Sequence, residues 1–443
     1  MLWAESVSRC AKGCAEDTDG GGERQGAFPR PAVAYGMLRQ SSEPEADVLV
    51  VGGGPAGAAT AAWCARAGLS VRLVDRARFP REKACAEYLS PEAGRDLEDL
   101  GVLAAVERAG PARLSGFRLV SDDGASVIGH FGAVPGYEPW RPYGFALPRA
   151  VLDPIVLDAA RRAGASVEEG VALEDLIIEH GSVGGAALRD GTTPRTIRAR
   201  VVVGADGMNS RVARRLGAAR TARPRRLALV AHLSGVAGMG EVGEMFTQAG
   251  WYVGLADIGH GLTNVAMVVP QRDAAAIAVG PEAFLLRRLA TVPELAARFA
   301  GASIVRRVLV TGPFARSSRP LVFGGAVLVG DAAEFFDPFT GEGIFAALRG
   351  GRLAAAAIAA ALARGAATAR ALAPYAAAHR RAFAGKRVLE RIAGLSAVHP
   401  VLMRRFTHRL ARRPAVAHLW VGAAGDSVPV RALFQPRRLA ALV

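Results

Sequence analysis

The sequence predicts an α/β chain: buried parallel strands leading into helices, an antiparallel sheet beside them, and C-terminal helices. Three observations predict it. Short apolar runs, "DVLVV" (47–51), "VVVG" (201–204) and "LVG" (328–330), each pass into a glycine-bearing turn and then a helix-forming stretch. That is the pattern of strands buried on both faces. Between them, "GFRLVSDDG", "RLALVAHLSG", "WYVGLADIG" and "TNVAMVVP" read as strands of an antiparallel sheet. Residues 376–443 carry mostly helical patterns.

A chain of 443 residues allows two or three such units. No run of about 18 uninterrupted apolar residues occurs, and the alanine-rich run Leu353–Leu362 is too short to span a bilayer, so no transmembrane helix is expected. The net charge of +15 invites a nucleic-acid reading. No aromatic-basic motif accompanies it, so an arginine-rich proteome accounts for it and no nucleic-acid partner is expected. Four cysteines, Cys10, Cys14, Cys64 and Cys85, show no metal spacing and no disulfide framework, which fits a reducing cytoplasm. Residues 1–45 are polar, Gly-rich and aperiodic and are expected to be a disordered extension, with Met37 as the native start.

Taken in order, the first element is the strand 47–51. "GGGPAG" follows it, then "AATAAWCARAG". Gly52, Gly54 and Gly57 thus form G-x-G-x-x-G between strand and helix. Gly52 permits the tight turn, Gly54 lets the backbone approach a pyrophosphate, and Gly57 lets helix and strand pack closely. Pro55 suits the first helical turn, where no N–H is needed. The helix start presents free N–H groups and a positive dipole end to phosphate. Gly68 closes the helix, and "LSVRLVDR" forms the second strand. It ends at Asp75, 18 residues after Gly57, where a carboxylate can accept from ribose hydroxyls. A Rossmann-like dinucleotide-binding domain is the expectation.

The second motif, "ARVVVGADGMNSRVARRLG" (199–217), gives a strand, a sharp turn at Asp206-Gly207 and a helix capped by Asn209-Ser210. The third, "LVGDAAEFFDPFTGEGIF" (328–345), ends a strand at Asp331, whose carboxylate suits a sugar-alcohol hydroxyl. Gly341 and Gly343 keep the next helix start bare.

The three motifs "VVGGGPAGAATA", "VVVGADGMNSRVAR" and "LVGDAAEFFDPFTGEGIFAAL" occur in one order. Together they resemble FAD-dependent oxidoreductases of the p-hydroxybenzoate hydroxylase fold, and within them the geranylgeranyl reductase-like branch. "FPREKACAEYLSPEA" (79–93) and "LPRAVLDPIVLDAARRAGASV" (147–167) resemble further segments of that branch. The resemblance covers most of 46–385. It implies a discontinuous Rossmann-like FAD-binding domain (46–112, 143–217, 308–375), an antiparallel-sheet substrate domain (113–142, 218–307) and a C-terminal helical cap (376–443). It implies that Gly52, Gly54, Pro55, Ala56 and Gly57 hold the pyrophosphate, Asp75 the ribose, and Arg76 the adenine side. Arg149 would lie near the pyrophosphate and ribityl chain, and Val171 would meet adenine through its backbone. Asp331 would bind the ribityl chain, with Gly341, Gly343 and Ile344 at the isoalloxazine edge. Asp75 stands where Glu is commoner, and Cys85-Ala86 where the branch has Cys-Gly.

The cofactor carries the difficult chemistry and the protein positions and polarises. The resemblance implies reduction of carbon–carbon double bonds in an isoprenoid-like apolar substrate; hydroxylation of an aromatic or polyketide-like compound is the alternative. Either needs a reductant, expected to be NAD(P)H binding transiently. Glu334 stands where aromatic oxygenases usually carry His, which favours reduction. The Trp-x-Trp-x-Ile-Pro motif of flavin halogenases is absent at "WYVGLA". Cys85 and Glu87 are the expected proton donors, Glu87 being otherwise an exposed helix-start carboxylate. Trp251, Tyr252 and Phe336 are expected to line the substrate pocket, with Phe335 and Phe339 beside the flavin. "MRRFTHRLARR" sets Arg404, Arg405, His408, Arg409, Arg412 and Arg413 opposite Met403, Phe406 and Leu410. Such a helix suits peripheral contact with anionic lipid.

Overall fold

The computed structural model describes residues 43–435. The extension expected over 1–45 lies outside the described residues up to residue 42, and with it the proposed start at Met37. Residues 436–443 lie outside them too.

The chain opens with strand Ala46–Val51, which pairs in parallel with Val71–Asp75 on one side and Thr193–Gly204 on the other. Val50 faces Leu73 and Val203, so three apolar runs far apart in sequence meet at one level. Ser166–Glu169 extends the sheet beyond Val71–Asp75, and Ala326–Leu328 adds to Thr193–Gly204. A hairpin, Val171–Glu179 with Ser182–Asp190, and the short strand Val322–Phe323 beside Ala326–Leu328 complete eight strands. Helices α1 (Pro55–Arg66), α2 (Arg149–Arg162) and α3 (Gly343–Ala363) complete the largest core with this sheet. A Cβ on Gly351 of α3 would lie 2.8 Å from the Ala56 carbonyl oxygen, so the bare glycine lets α3 press on α1. By length and composition α3 is apolar enough to cross a membrane, yet most of it is buried in this core.

The second sheet has seven strands, in the spatial order Ser303–Thr311, Arg226–Ser234, Leu262–Pro270, Trp251–Asp257, Val242–Gln248, Gly116–Val120, Ser126–His130. It is antiparallel except where Val242–Gln248 runs parallel to Gly116–Val120, a departure from the wholly antiparallel expectation. Successive side chains of a strand point to opposite faces. Trp251 and Val253 join a core with Leu285 and Leu289 of the helix Pro281–Ala290, and Tyr252 joins another with Phe314 and Val268. The boundary expected at 307/308 falls inside strand Ser303–Thr311 of this sheet.

Towards the C-terminal end of the described residues come three α-helices, α4 (Ala369–Ser396), α5 (Pro400–Ala411) and α6 (Pro414–Ala424), and then a 3-10 turn, Val430–Phe434. The boundary expected at 375/376 falls inside α4, which begins where Thr368 caps it by accepting from the Ala371 N–H.

Candidate active site

The glycine loop has the shape its sequence calls for. Gly52 has φ +108°, and a Cβ there would lie 2.4 Å from the Ala205 carbonyl oxygen. A Cβ on Gly57 would lie 1.8 Å from the Gly52 oxygen, so helix and loop touch backbone to backbone. Gly54 differs: the nearest atoms to a Cβ there are guanidinium nitrogens of Arg81 (3.4 Å) and Arg149 (3.8 Å). Bare backbone, a helix N-terminus led by Pro55 and Ala56, and two guanidinium groups form a donor set for an anionic pyrophosphate. Asp75 closes the cradle. It is buried, and its carboxylate accepts from the N–H of Gly53 (2.7 Å) and of Ala77 (2.7 Å). Each oxygen keeps a second lone pair for a ribose hydroxyl. Arg76 is exposed just past the strand, and Val171 is buried at the start of its own.

Arg149 is buried and forked onto Asp153, Nε to Oδ1 at 2.6 Å and Nη2 to Oδ2 at 2.9 Å. Burial works to lower the guanidinium pKa; the Asp153 carboxylate, together with neighbouring Cys85, more than reverses this, so it sits above its ordinary value. Arg81 also reaches Asp153, at 3.4 Å. Asp153 thus stations two cations over Gly54, and sequence reasoning named only Arg149.

The third motif meets the first across the site. Lys83 Nζ lies 3.5 Å from the Asp331 carboxylate. Gly341 has φ +72°, and a Cβ there would strike the Tyr88 ring at 2.9 Å. Gly343 begins α3 with open space around it, and Ile344 is buried behind. Asp337 is buried in a network: Arg226 Nη1 donates to it at 2.6 Å and also to the Gly394 carbonyl of α4 at 2.6 Å, and the Tyr252 hydroxyl donates to it. Glu390 of α4 accepts from the backbone N–H of Asp337 (2.9 Å) and of Phe336 (3.3 Å). Burial pushes its carboxyl up to about 8. The seven-stranded second sheet, which covers this side of the site (the cover sheet), and α4 therefore jointly hold the Asp337–Gly341 segment.

Against that segment opens a cavity of about 400 Å³. Its wall is overwhelmingly apolar. Tyr88, Phe117, Met245 and Phe339 line one part, Phe406 and Trp420 another. It is framed by the cover sheet, by Pro338–Gly341 and by α4, α5 and α6. This size and lining suit a small apolar ligand.

Several expected site residues stand elsewhere. Trp251 is buried in the core on the far side of the cover sheet. Tyr252 is spent on Asp337 and packs edge-on against Phe339 at 5.1 Å. Phe336 lies under the Arg391 guanidinium, 5.7 Å away. None of the three lines the cavity; alternation along the strand and the Asp337 network turn them away. Phe335 packs on Phe314, while Phe339 does line the cavity. Glu87 is not an exposed helix-start carboxylate. It is fully buried with φ +61°, accepts from the Arg149 N–H (3.0 Å), and meets His232 Nε2 of the cover sheet at 2.6 Å. Arg306 approaches it at 3.5 Å. Glu87 is a pin between the two sheets, outside the cavity wall. Cys85 is half-buried outside that wall too; its thiol accepts from the Glu87 N–H (3.3 Å) and its carbonyl from Asn264 Nδ2 (3.1 Å). Glu334 pairs with Arg319 at 2.9 Å, with Arg387 and Arg391 each at 3.8 Å.

The residues that sequence reasoning missed are Tyr88, Asn264 and the aromatic wall of α5 and α6. Tyr88 is buried with no hydrogen-bond partner for its hydroxyl. Its only signal was an aromatic next to the Lys83–Glu87 loop.

The comparisons agree with this geometry. The model of the FAD binding domain family matches residues 45–391. The chain is 34% identical over 341 residues to the menaquinone reductase of Mycolicibacterium smegmatis, covering 70% of this chain and 75% of that protein. It is 30% identical over 318 residues to the digeranylgeranylglycerophospholipid reductase of Methanosarcina acetivorans, covering 70% of this chain and 74% of that one. Among solved structures, the myxobacterial chondrochloren halogenase, a variant of FAD-dependent halogenases, superposes with a TM-score of 0.73 at 26% identity over 80% of this chain and 83% of that one. With a cradle that fits a dinucleotide and matches on this scale, the chain is an FAD-dependent oxidoreductase, a member of the FAD binding domain family in its geranylgeranyl reductase-like branch.

Proposed function

We propose that this enzyme reduces carbon–carbon double bonds of an isoprenoid-like apolar substrate with electrons from NAD(P)H. The carrying observation is the apolar cavity of about 400 Å³ that ends on Pro338–Gly341, beside the start of α3. Relatives named as reductases of menaquinone and of digeranylgeranylglycerophospholipid support a prenyl chain as its occupant. When bound, FAD would supply the hydride chemistry, with NAD(P)H as the source of the two electrons; saturating a double bond also takes a proton at the second carbon, so that two C–H bonds replace one π bond.

The chain's own residues set the conditions. Gly52–Gly57 with Arg81 and Arg149 would hold the pyrophosphate, Asp75 the ribose and Asp331 the ribityl chain. Phe117, Met245, Phe339 and Trp420 exclude water and grip the apolar chain. Tyr88, packed against Gly341 with its hydroxyl buried and unpartnered, is one protic side chain of the near wall, beside Thr340 and Asn264. Burial holds that hydroxyl well above its usual pKa, so it stays protonated at neutral pH. Cys85 and Glu87 shape the loop leading to it.

The likeness to a halogenase supports a second reading, oxygenation of an aromatic or polyketide-like compound in the same cavity. One experiment separates them. The enzyme is reduced without oxygen and mixed with menaquinone or a geranylgeranyl lipid. Reoxidation of the cofactor with a product heavier by two hydrogens per bond is expected. Absence of that product, with a phenol hydroxylated once air is admitted, would falsify the reductase proposal.

A further inference from the structure

Eleven large apolar residues are exposed among the described residues, and five of them fall between 388 and 402: Val388, Ile392 and Leu395 of α4, Val401 and Leu402 of α5. On α4 they stand at i, i+4 and i+7, one stripe of the helix. The turn Ala397–His399 carries that stripe into the start of α5, where Val401 is 59% exposed and Leu402 52%. Ile392 and Leu402 also line the apolar cavity, so the patch is the outer lip of its mouth. A soluble face rarely gathers such residues without a partner.

The surrounding charge says what the partner is. Residues 380–413 hold ten lysines and arginines and a single acid, Glu390. Some of these cations are engaged: Arg404 forks onto Asp122, His408 meets Asp123, and Arg387 and Arg391 approach Glu334. Arg380, Arg381, Arg405 and Arg412 are exposed around them. An apolar ridge collared by cations matches the acyl boundary and anionic headgroups of a bilayer. Met403 and Leu410 of α5 are buried, so the apolar side expected to face lipid is packed inward, and Val401 and Leu402 take that role.

We infer that the α4–α5 corner docks on an anionic lipid surface and that the gap between Ile392 and Leu402 is the door by which an apolar chain passes from bilayer to cavity. Docking stands apart from the substrate; the door rests on the proposed function. The arrangement solves a transfer problem, because a long prenyl chain that crossed water would forfeit about 0.8 kcal/mol for each CH₂ exposed.

The test uses the full chain loaded with its cofactor. It should float with vesicles containing about one-third phosphatidylglycerol at about 50 mM salt, and bind about tenfold less at roughly 0.5 M salt. L395S/V401S alters two exposed positions that do not line the cavity and should bind about tenfold less at either salt. V279S, on the separate helix Ala274–Val279, should bind as wild type. Wild-type protein that stays out of the anionic vesicles, or L395S/V401S that floats with them equally, overturns docking. So does a wild-type dimer that the double variant converts to monomer, which would assign the patch to a second copy. For the door, turnover of a prenylated quinone is compared in vesicles and in detergent. The double variant should be about tenfold slower in vesicles only. Equal rates in vesicles overturn the door. A wild type inert in both media contradicts the proposed function, while flotation still decides docking.

Discussion

The cofactor cradle and the apolar cavity adjoin, yet they are built in opposite ways. The cradle is local: Gly52, Gly54, Gly57 and Asp75 lie within one strand–helix–strand run. Its shape is dictated by backbone contacts that no side chain can replace, such as a Cβ at Gly57 lying 1.8 Å from a carbonyl oxygen. The cavity is assembled from the Ala86–Tyr88 loop, the cover sheet, the Pro338–Gly341 segment and three C-terminal helices. Binding phosphate demands particular atoms at particular places, whereas walling an apolar cavity demands only apolar surface that many side chains supply. Substitutions in the cradle should therefore be near all-or-none, and those around the cavity graded.

Gly57→Val should have the largest effect. The new side chain meets backbone on one side and Ala205 Cβ on another, and neither yields by rotating. Loss of cofactor from the purified protein is expected, with destabilisation of at least about 3 kcal/mol. The ratio of visible to ultraviolet absorbance and a melting curve read both. A yellow Gly57→Val protein of normal stability would break the account of the cradle.

Arg149→Met comes next. Asp153 is fully buried and would keep only Arg81 at 3.4 Å. Stranding a buried carboxylate costs roughly 3–5 kcal/mol, part of which Arg81 offsets. Urea unfolding measures it. Arg149→Lys should recover little, because an ammonium cannot make the two-pronged bond. Full recovery would show that charge alone, without the fork, suffices.

The same contrast explains what was legible in the sequence. The glycine turn was legible because its motif is contiguous and its spacing is fixed by one turn of chain, whereas Arg149 was named from a family resemblance and not from spacing. The parallel sheet followed from runs buried on both faces. The cavity was misjudged where facing mattered. Trp251 and Tyr252 were both assigned to it, but neighbouring strand residues point to opposite faces; here Trp251 packs beneath the sheet and Tyr252 is drawn to Asp337. Glu87 was misplaced because its partners, His232 and Arg306, are more than a hundred residues away. Tyr88 and Trp420 were overlooked because lone aromatics carry no spacing signal.

Glu390 lies where cavity helix and cofactor segment join, and its effect should be intermediate. Its carboxyl is raised to about 8, chiefly by burial, against about 4.3 in an unfolded chain. The folded state therefore binds the extra proton across that window. The resulting stability is complete below the unfolded pKa and is lost as pH rises through the folded one. Between about pH 6 and pH 9 the wild type should lose about 3 kcal/mol that Glu390→Gln retains. Chemical denaturation at the two pH values checks it. Parallel losses in both proteins would mean that Glu390 is already charged at neutral pH.

Tyr88→Phe should give the smallest change in folding free energy and the sharpest one for the comparison. The hydroxyl is buried without a partner, so removing it leaves stability level or slightly raised, since an unmade hydrogen bond is a cost. Cofactor content should not change, because Tyr88 touches the cradle's far edge only through its ring at Gly341. Turnover should fall by about 100-fold, the lower end of a positioned proton donor's usual worth, with KM moving little since the ring's apolar contacts with Phe117 and Phe131 persist. A solvent isotope effect present in wild type and lost in the variant would tie the decrease to proton delivery. Unchanged turnover would make Tyr88 a wall residue like Phe117. The proton would then have to come from another protic group of the wall, such as Thr340 or Ser396, or from beyond it.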